Sequence, residues 1–101
     1  MTNVVNINSS SYDIYIGRSR KGEGFNKWCN PFVIGRDGNR EEVINKYKKY
    51  LEMQIKIGNI TISELISLNN KKLGCFCFPL KCHGNIICEY VDLAINNKIK
   101  F

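Results

Sequence analysis

The stretch Leu73-Gly-Cys-Phe-Cys-Phe-Pro-Leu-Lys-Cys-His-Gly-Asn-Ile-Ile87 decides how the chain is read. Its fifteen residues hold three of the five cysteines, the single histidine, a proline and two glycines. Leu73 to Phe78 reads as a short buried strand, with Cys75 and Cys77 on one face and Phe76 and Phe78 on the other, because strand side chains alternate. Pro79 ends it. Ile86, Ile87, Tyr90, Val91, Ala94 and Ile95 then recur at helical spacing and predict a helix over about 83–96. Small α/β proteins hold ligands at such strand–loop–helix junctions, because the first N–H groups of a helix have no partner within it.

Working back toward the amino end, Thr61-Ile-Ser-Glu64 has the form of a capping box and opens a short helix to about Leu68. Asn39-Arg-Glu-Glu42 is a second box. Behind it Val43, Ile44, Tyr47, Tyr50, Leu51 and Ile55 form one stripe, so the main amphipathic helix is expected over 40–56, with Gly58-Asn59 stopping it. Residues 3–7 suggest an edge strand. Tyr12 to Ile16 alternates more cleanly, with Tyr12, Ile14 and Ile16 on one face, and ends at Gly17-Arg18. Ser19 to Asn39 lacks periodicity, and a loop of that length is often functional. Its Phe25-Asn-Lys-Trp-Cys-Asn-Pro-Phe32 centre is expected to pin it to the body through aromatic rings.

This order predicts a single α/β domain over residues 1–101. The expected architecture is a small Rossmann-like, mainly parallel sheet with two main helices and one short one. Ligands in such sheets sit beyond the carboxyl ends of the strands, here Gly17-Arg18 and the segment from Phe78 to Gly84.

Composition narrows the class. With 44% hydrophobic and 24% charged residues the chain is ordinary for a globular domain. No run approaches the ~20 apolar residues of a membrane helix, so no membrane partner is expected. The opening Met1-Thr-Asn-Val-Val-Asn-Ile-Asn8 has neither a basic region nor an apolar signal core, and five cysteines is an odd number. Together these favour reduced thiols in a cytoplasm over a disulfide framework. Richness in Asn, Ile and Lys fits an AT-rich genome, as in a low-GC bacterium or its phages. The net charge is +6, and residues 17–49 carry nine basic against four acidic side chains, a local excess of five. Such a segment suits phosphate-bearing partners.

Three chemistries follow. The first is binding of a phosphate-bearing small ligand, a nucleotide or nucleotide derivative, with turnover left open. Gly84 permits close approach of backbone at a helix start, Arg18, Lys27 and Arg40 can close on an anion, and Trp28 or Phe32 can stack on a ring. Neither a dinucleotide fingerprint nor a P-loop is present. The second is a zinc-stabilised nucleic-acid-binding module. Cys75, Cys77, Cys82 and His83 supply four soft donors, although their spacing is not the usual paired knuckle. The third is a thiol enzyme centred on Cys82, at a helix start that can lower a thiol pKa, with His83 beside it. Adjacent helical residues diverge by about 100°, which makes a direct Cys82–His83 dyad awkward.

Tyr15-Ile-Gly-Arg18, Lys27-Trp-Cys-Asn-Pro-Phe32, Arg40-Glu-Glu42 with Tyr47 and Leu51, Leu73-Gly-Cys-Phe-Cys-Phe-Pro79 and Cys82-His-Gly84, taken in order, resemble the domain-of-unknown-function family numbered 4326, over about residues 12–95. The resemblance implies a bacterial or phage source. It also implies that Gly17, Arg18, Asn30, Pro31, Phe32, Cys75, Cys77, Pro79, Cys82 and His83 belong to the family's pattern. It implies no reaction. The expected ligand-binding set is therefore Gly17, Arg18, Lys27, Trp28, Asn30, Phe32, Arg40, Cys82, His83 and Gly84.

Overall fold

A computed structural model describes residues 2–17, 26–77 and 79–100. Arg18, Phe25 and Phe78 lie outside the described residues, so the expectations placed on them stay with the sequence. The elements run β1 (Asn3–Asn6), β2 (Ile14–Tyr15), α1 (Arg40–Lys56), α2 (Ile62–Ser67), β3 (Lys72–Cys75) and α3 (His83–Ile95). This is a small α/β arrangement of three helices and a three-stranded parallel sheet in the order β1-β3-β2.

The helices start where local chemistry directs. Asn39 caps α1, its side chain accepting from the Glu42 N–H at 2.9 Å while Glu42 reaches back to the Asn39 N–H at 3.0 Å. Thr61 and Glu64 repeat the arrangement on α2. Along α1, Val43, Tyr47, Leu51 and Ile55 are the buried residues, four apart throughout, as one face of a helix requires. They meet α3, which buries Ile87, Tyr90, Val91 and Ala94. The Tyr90 hydroxyl donates to Glu52 Oε2 at 2.6 Å across that contact.

The strands are shorter than their sequence patterns. The strand expected over Tyr12–Ile16 pairs only at Ile14–Tyr15, although Asp13 and Ile16 still donate to β3 carbonyls. β3 stops at Cys75 instead of continuing to Phe78, because its partners run out: Asn6 of β1 pairs with Cys75, and the Ile7 N–H makes the closing bond to the Cys75 carbonyl. A strand's extent is set by what lies beside it.

β1 and β2 are consecutive and parallel, yet β3 lies between them. Residues 7–13 therefore have to cross β3. The in-register trio Val4, Leu73 and Ile14 shares one sheet face, and Val5, Gly74 and Tyr15 the other. On the second face the crossing connection presses onto Gly74, where an added Cβ would stand 2.7 Å from both Ile7 Cγ2 and Tyr12 Cγ. On the first face α3 comes equally close: a Cβ at Gly84 would meet Ile16 Cδ1 at 2.7 Å and Val4 Cγ2 at 2.9 Å. Two glycines of the signature stretch thus let the sheet be covered tightly on both sides.

Candidate functional site

A cleft of about 500 Å³ opens at the carboxyl end of the sheet. The end of β2, the segment after β3, the first residues of α3, the loop before α1 and the first turns of α1 all contribute to it.

Its floor is made by the α3 cap, a cysteine pair and a buried histidine. Cys82 is the N-cap of α3, its Sγ accepting the Gly84 N–H at 3.3 Å while Asn85 Oδ1 accepts the Cys82 N–H at 3.0 Å. Cys75 Sγ lies 3.4 Å from Cys82 Sγ. The hydrogen bond with Cys75, together with burial, pushes the Cys82 thiol well above its usual range. His83 is buried, with Nε2 2.7 Å from the Ile16 carbonyl oxygen and its ring edge-on to Tyr47 at 4.9 Å. A carbonyl only accepts, so Nε2 carries the proton in that bond.

The walls are mostly apolar. Phe32, Val33 and Ile34 come from the loop, Val43 and Ile44 from α1, and Tyr15 and Phe76 from the sheet end, where the two rings meet edge-to-face at 6.1 Å. Phe32 is held edge-on against Tyr50 at 6.3 Å. Asn30 builds the loop: its Oδ1 accepts the Phe32 N–H at 2.9 Å and its Nδ2 donates to the Val43 carbonyl at 3.3 Å. Among the described residues, Arg40 and Lys81 are the basic side chains that line the cleft. Arg40 is the first residue of α1, where a positive charge opposes the helix dipole. Its Nη1 donates to the Lys81 carbonyl at 3.0 Å, tying α1 to the residue before the α3 cap.

Of the expected ligand set, Gly17, Asn30, Phe32, Arg40, Cys82 and His83 converge on this cleft. Three members stand elsewhere. Trp28 is buried in the core, and its backbone carbonyl accepts from the Tyr47 hydroxyl at 3.0 Å, which anchors the loop to α1. Lys27 is ion-paired with Glu64 of α2, the residue that also closes the Thr61 box. Gly84 lies beneath the floor, between Ile16 and Val4. Asp13, the acid on β2's approach, is at the opposite end of the sheet, its Oδ2 accepting the Lys72 N–H at 2.7 Å.

The four donors considered for zinc are only partly drawn together. Cys75, Cys77 and Cys82 line the same cleft, but the His83 Nε2 is engaged by Ile16. Among the described residues no group of three or more His, Cys, Asp or Glu side chains has a metal-holding arrangement. No helix among them is long and apolar enough to cross a membrane.

Two contributors were not singled out from sequence. Asn26 donates from Nδ2 to the carbonyls of Tyr15 at 2.8 Å and Gly17 at 2.9 Å, clamping the loop to the end of β2. Its signal was an Asn beside the aromatic run. Lys81 was inside the signature stretch, one residue before the helix cap.

The chain matches the family model "Domain of unknown function (DUF4326)" over residues 3–93. It is 39% identical over 90 residues to an uncharacterized 12.4 kDa protein from the nrdA-td intergenic region of Enterobacteria phage T4, covering 88% of this chain and 76% of that protein. It is 33% identical over 93 residues to uncharacterized protein R718 of Acanthamoeba polyphaga mimivirus, covering 80% of this chain and 68% of that one. No solved structure matches.

Proposed function

Since the chain belongs to the domain-of-unknown-function family 4326, a name that specifies no reaction, we propose from its geometry that it binds a phosphate-bearing small ligand, a nucleotide or nucleotide derivative, in the cleft at the carboxyl end of its sheet. The observation that carries this reading is an apolar, aromatic-walled cleft that two basic residues also line. Arg40 and Lys81 line the same space, and the positive end of the α3 dipole lies at its floor.

Phe32 and Phe76 line the cleft where a flat ring would pack, and the volume suits a ligand of nucleotide size. One of the five Arg40 donors is spent on Lys81, which orients the fork toward a phosphate. In this reading the sheet works as a Rossmann-like platform and the protein acts in the cytoplasm of a phage-infected bacterium. The related phage protein supports that setting.

The test is calorimetric titration with a panel of nucleoside mono-, di- and triphosphates and with inorganic phosphate, at two salt concentrations. Saturable binding of one nucleotide class, weakened about tenfold or more by Arg40→Ala or Lys81→Ala, is the expected result. If no nucleotide binds, or if binding survives both substitutions unchanged, the reading fails. Affinity for DNA or RNA that falls steeply with salt would replace it with the nucleic-acid-binding alternative.

A further inference from the structure

We propose that Cys75 and Cys82 form a reversible dithiol couple, closing a disulfide between the end of β3 and the cap of α3 when the protein meets a low-molecular-weight disulfide. The contact between their sulfurs carries the inference. At 3.4 Å the two Sγ atoms are about 1.4 Å from bonding distance, a gap that small side-chain rotations can close. Each residue is also held by the fold independently of that contact. Cys75 is the last residue of β3, with its carbonyl bound by Ile7, and Cys82 is fixed at the first turn of α3 by the Asn85 bond. They are seven residues apart, so the bridge would close a short loop that the fold has already formed.

Access distinguishes this pair from an inert buried contact. Both side chains are nearly fully buried, yet both line the cleft, and Cys77 lines it with them. A small disulfide can therefore approach from the open side without unfolding. One thiol of the pair loses its proton and attacks the reagent, expelling one small thiol and leaving a mixed disulfide. The second thiol loses its proton and attacks the protein sulfur of that mixed disulfide, expelling the second small thiol. The protein gives up two electrons and two protons, and the reagent takes both. Burial and the Cys75 contact keep the Cys82 thiol protonated at neutral pH, so the exchange runs slowly near pH 7 and speeds up as pH rises.

The test uses the full reduced chain under native conditions in glutathione–glutathione disulfide mixtures, quenched by alkylation and read by mass spectrometry. Three alkylated cysteines in place of five are expected, with full recovery on reduction. Trypsin cuts after Lys81, so the bridge would join the peptide that begins at Leu73 to the one that begins at Cys82. Cys77→Ser and Cys88→Ser should leave that link in place. The proposal is overturned if all five thiols alkylate at the most oxidising ratio, or if the link involves Cys77 or Cys88. It is also overturned if a stable glutathione adduct forms with no internal bridge, or if the purified chain holds one zinc that protects these two thiols.

Discussion

The imidazole of His83 holds the backbone of Ile16: Nε2 lies 2.7 Å from the Ile16 carbonyl oxygen, joining the first residue of α3 to the residue after β2 across 67 positions of sequence. The same ring packs edge-on against Tyr47 of α1. One side chain thus fixes sheet, α1 and α3 at the edge of the cleft. His83→Ala removes the bond and strands a buried carbonyl. It should lower unfolding free energy by about 1–3 kcal/mol. Urea denaturation followed by circular dichroism measures this, and an unchanged midpoint would show that the bond contributes nothing.

Gly74 marks where the connection between β1 and β2 crosses the sheet. A methyl group there collides with Ile7 and Tyr12, and neither contact is the far end of a flexible chain. Gly74→Ala should destabilise by roughly 1–3 kcal/mol. Gly35, where nothing lies within 4 Å of an added Cβ, is the control: its φ of +95° imposes backbone strain alone. If Gly74→Ala costs no more than Gly35→Ala in thermal melts, the tight crossing is not a packing constraint.

The two polar caps should behave alike. Asn39→Ala and Thr61→Ala each remove a side-chain acceptor from a helix start and should each cost about 1 kcal/mol. Cys82→Ser keeps a capping oxygen on α3 and should retain the helix, since serine is the stronger cap. Loss of helical signal in Cys82→Ser would mean that the sulfur's packing, and not its capping bond, holds that end.

Acid should weaken the fold in part through Glu64. Its hydrogen bond with Lys27, followed by its bond within the Thr61 box, holds its carboxyl below the ordinary glutamate range. A carboxylate whose folded pKa is depressed contributes stability above its unfolded pKa and loses it as pH falls through the folded value. The window therefore lies below about pH 4.5. The group is largely solvated, so its share stays under about 1 kcal/mol. Asp37 adds to the same window, lowered first by Arg36 and then by the Val33 N–H. Glu64→Gln should flatten part of the fall in urea midpoint between about pH 5 and about pH 3. Parallel curves for the two proteins would remove Glu64 from the account.

What the sequence by itself determined is local. The span of α1, both capping boxes and the start of α3 follow from side chains acting within four residues of the backbone they satisfy. The candidate site was legible to the same extent: Asn30, Phe32, Arg40, Cys82 and His83 were readable because a turn, a ring, a helix start and a cap each leave a short-range signature. Only the tertiary structure decided the rest. The place of β3 between two consecutive parallel strands, the burial of Trp28 under the Tyr47 hydroxyl, the pairing of Lys27 with Glu64 and the meeting of the Cys75 and Cys82 sulfurs are choices among partners. A basic residue near aromatics reads the same whether it faces a ligand or a glutamate 37 positions away. The choice depends on which surfaces the packed core brings together, and spacing along the chain carries no record of it.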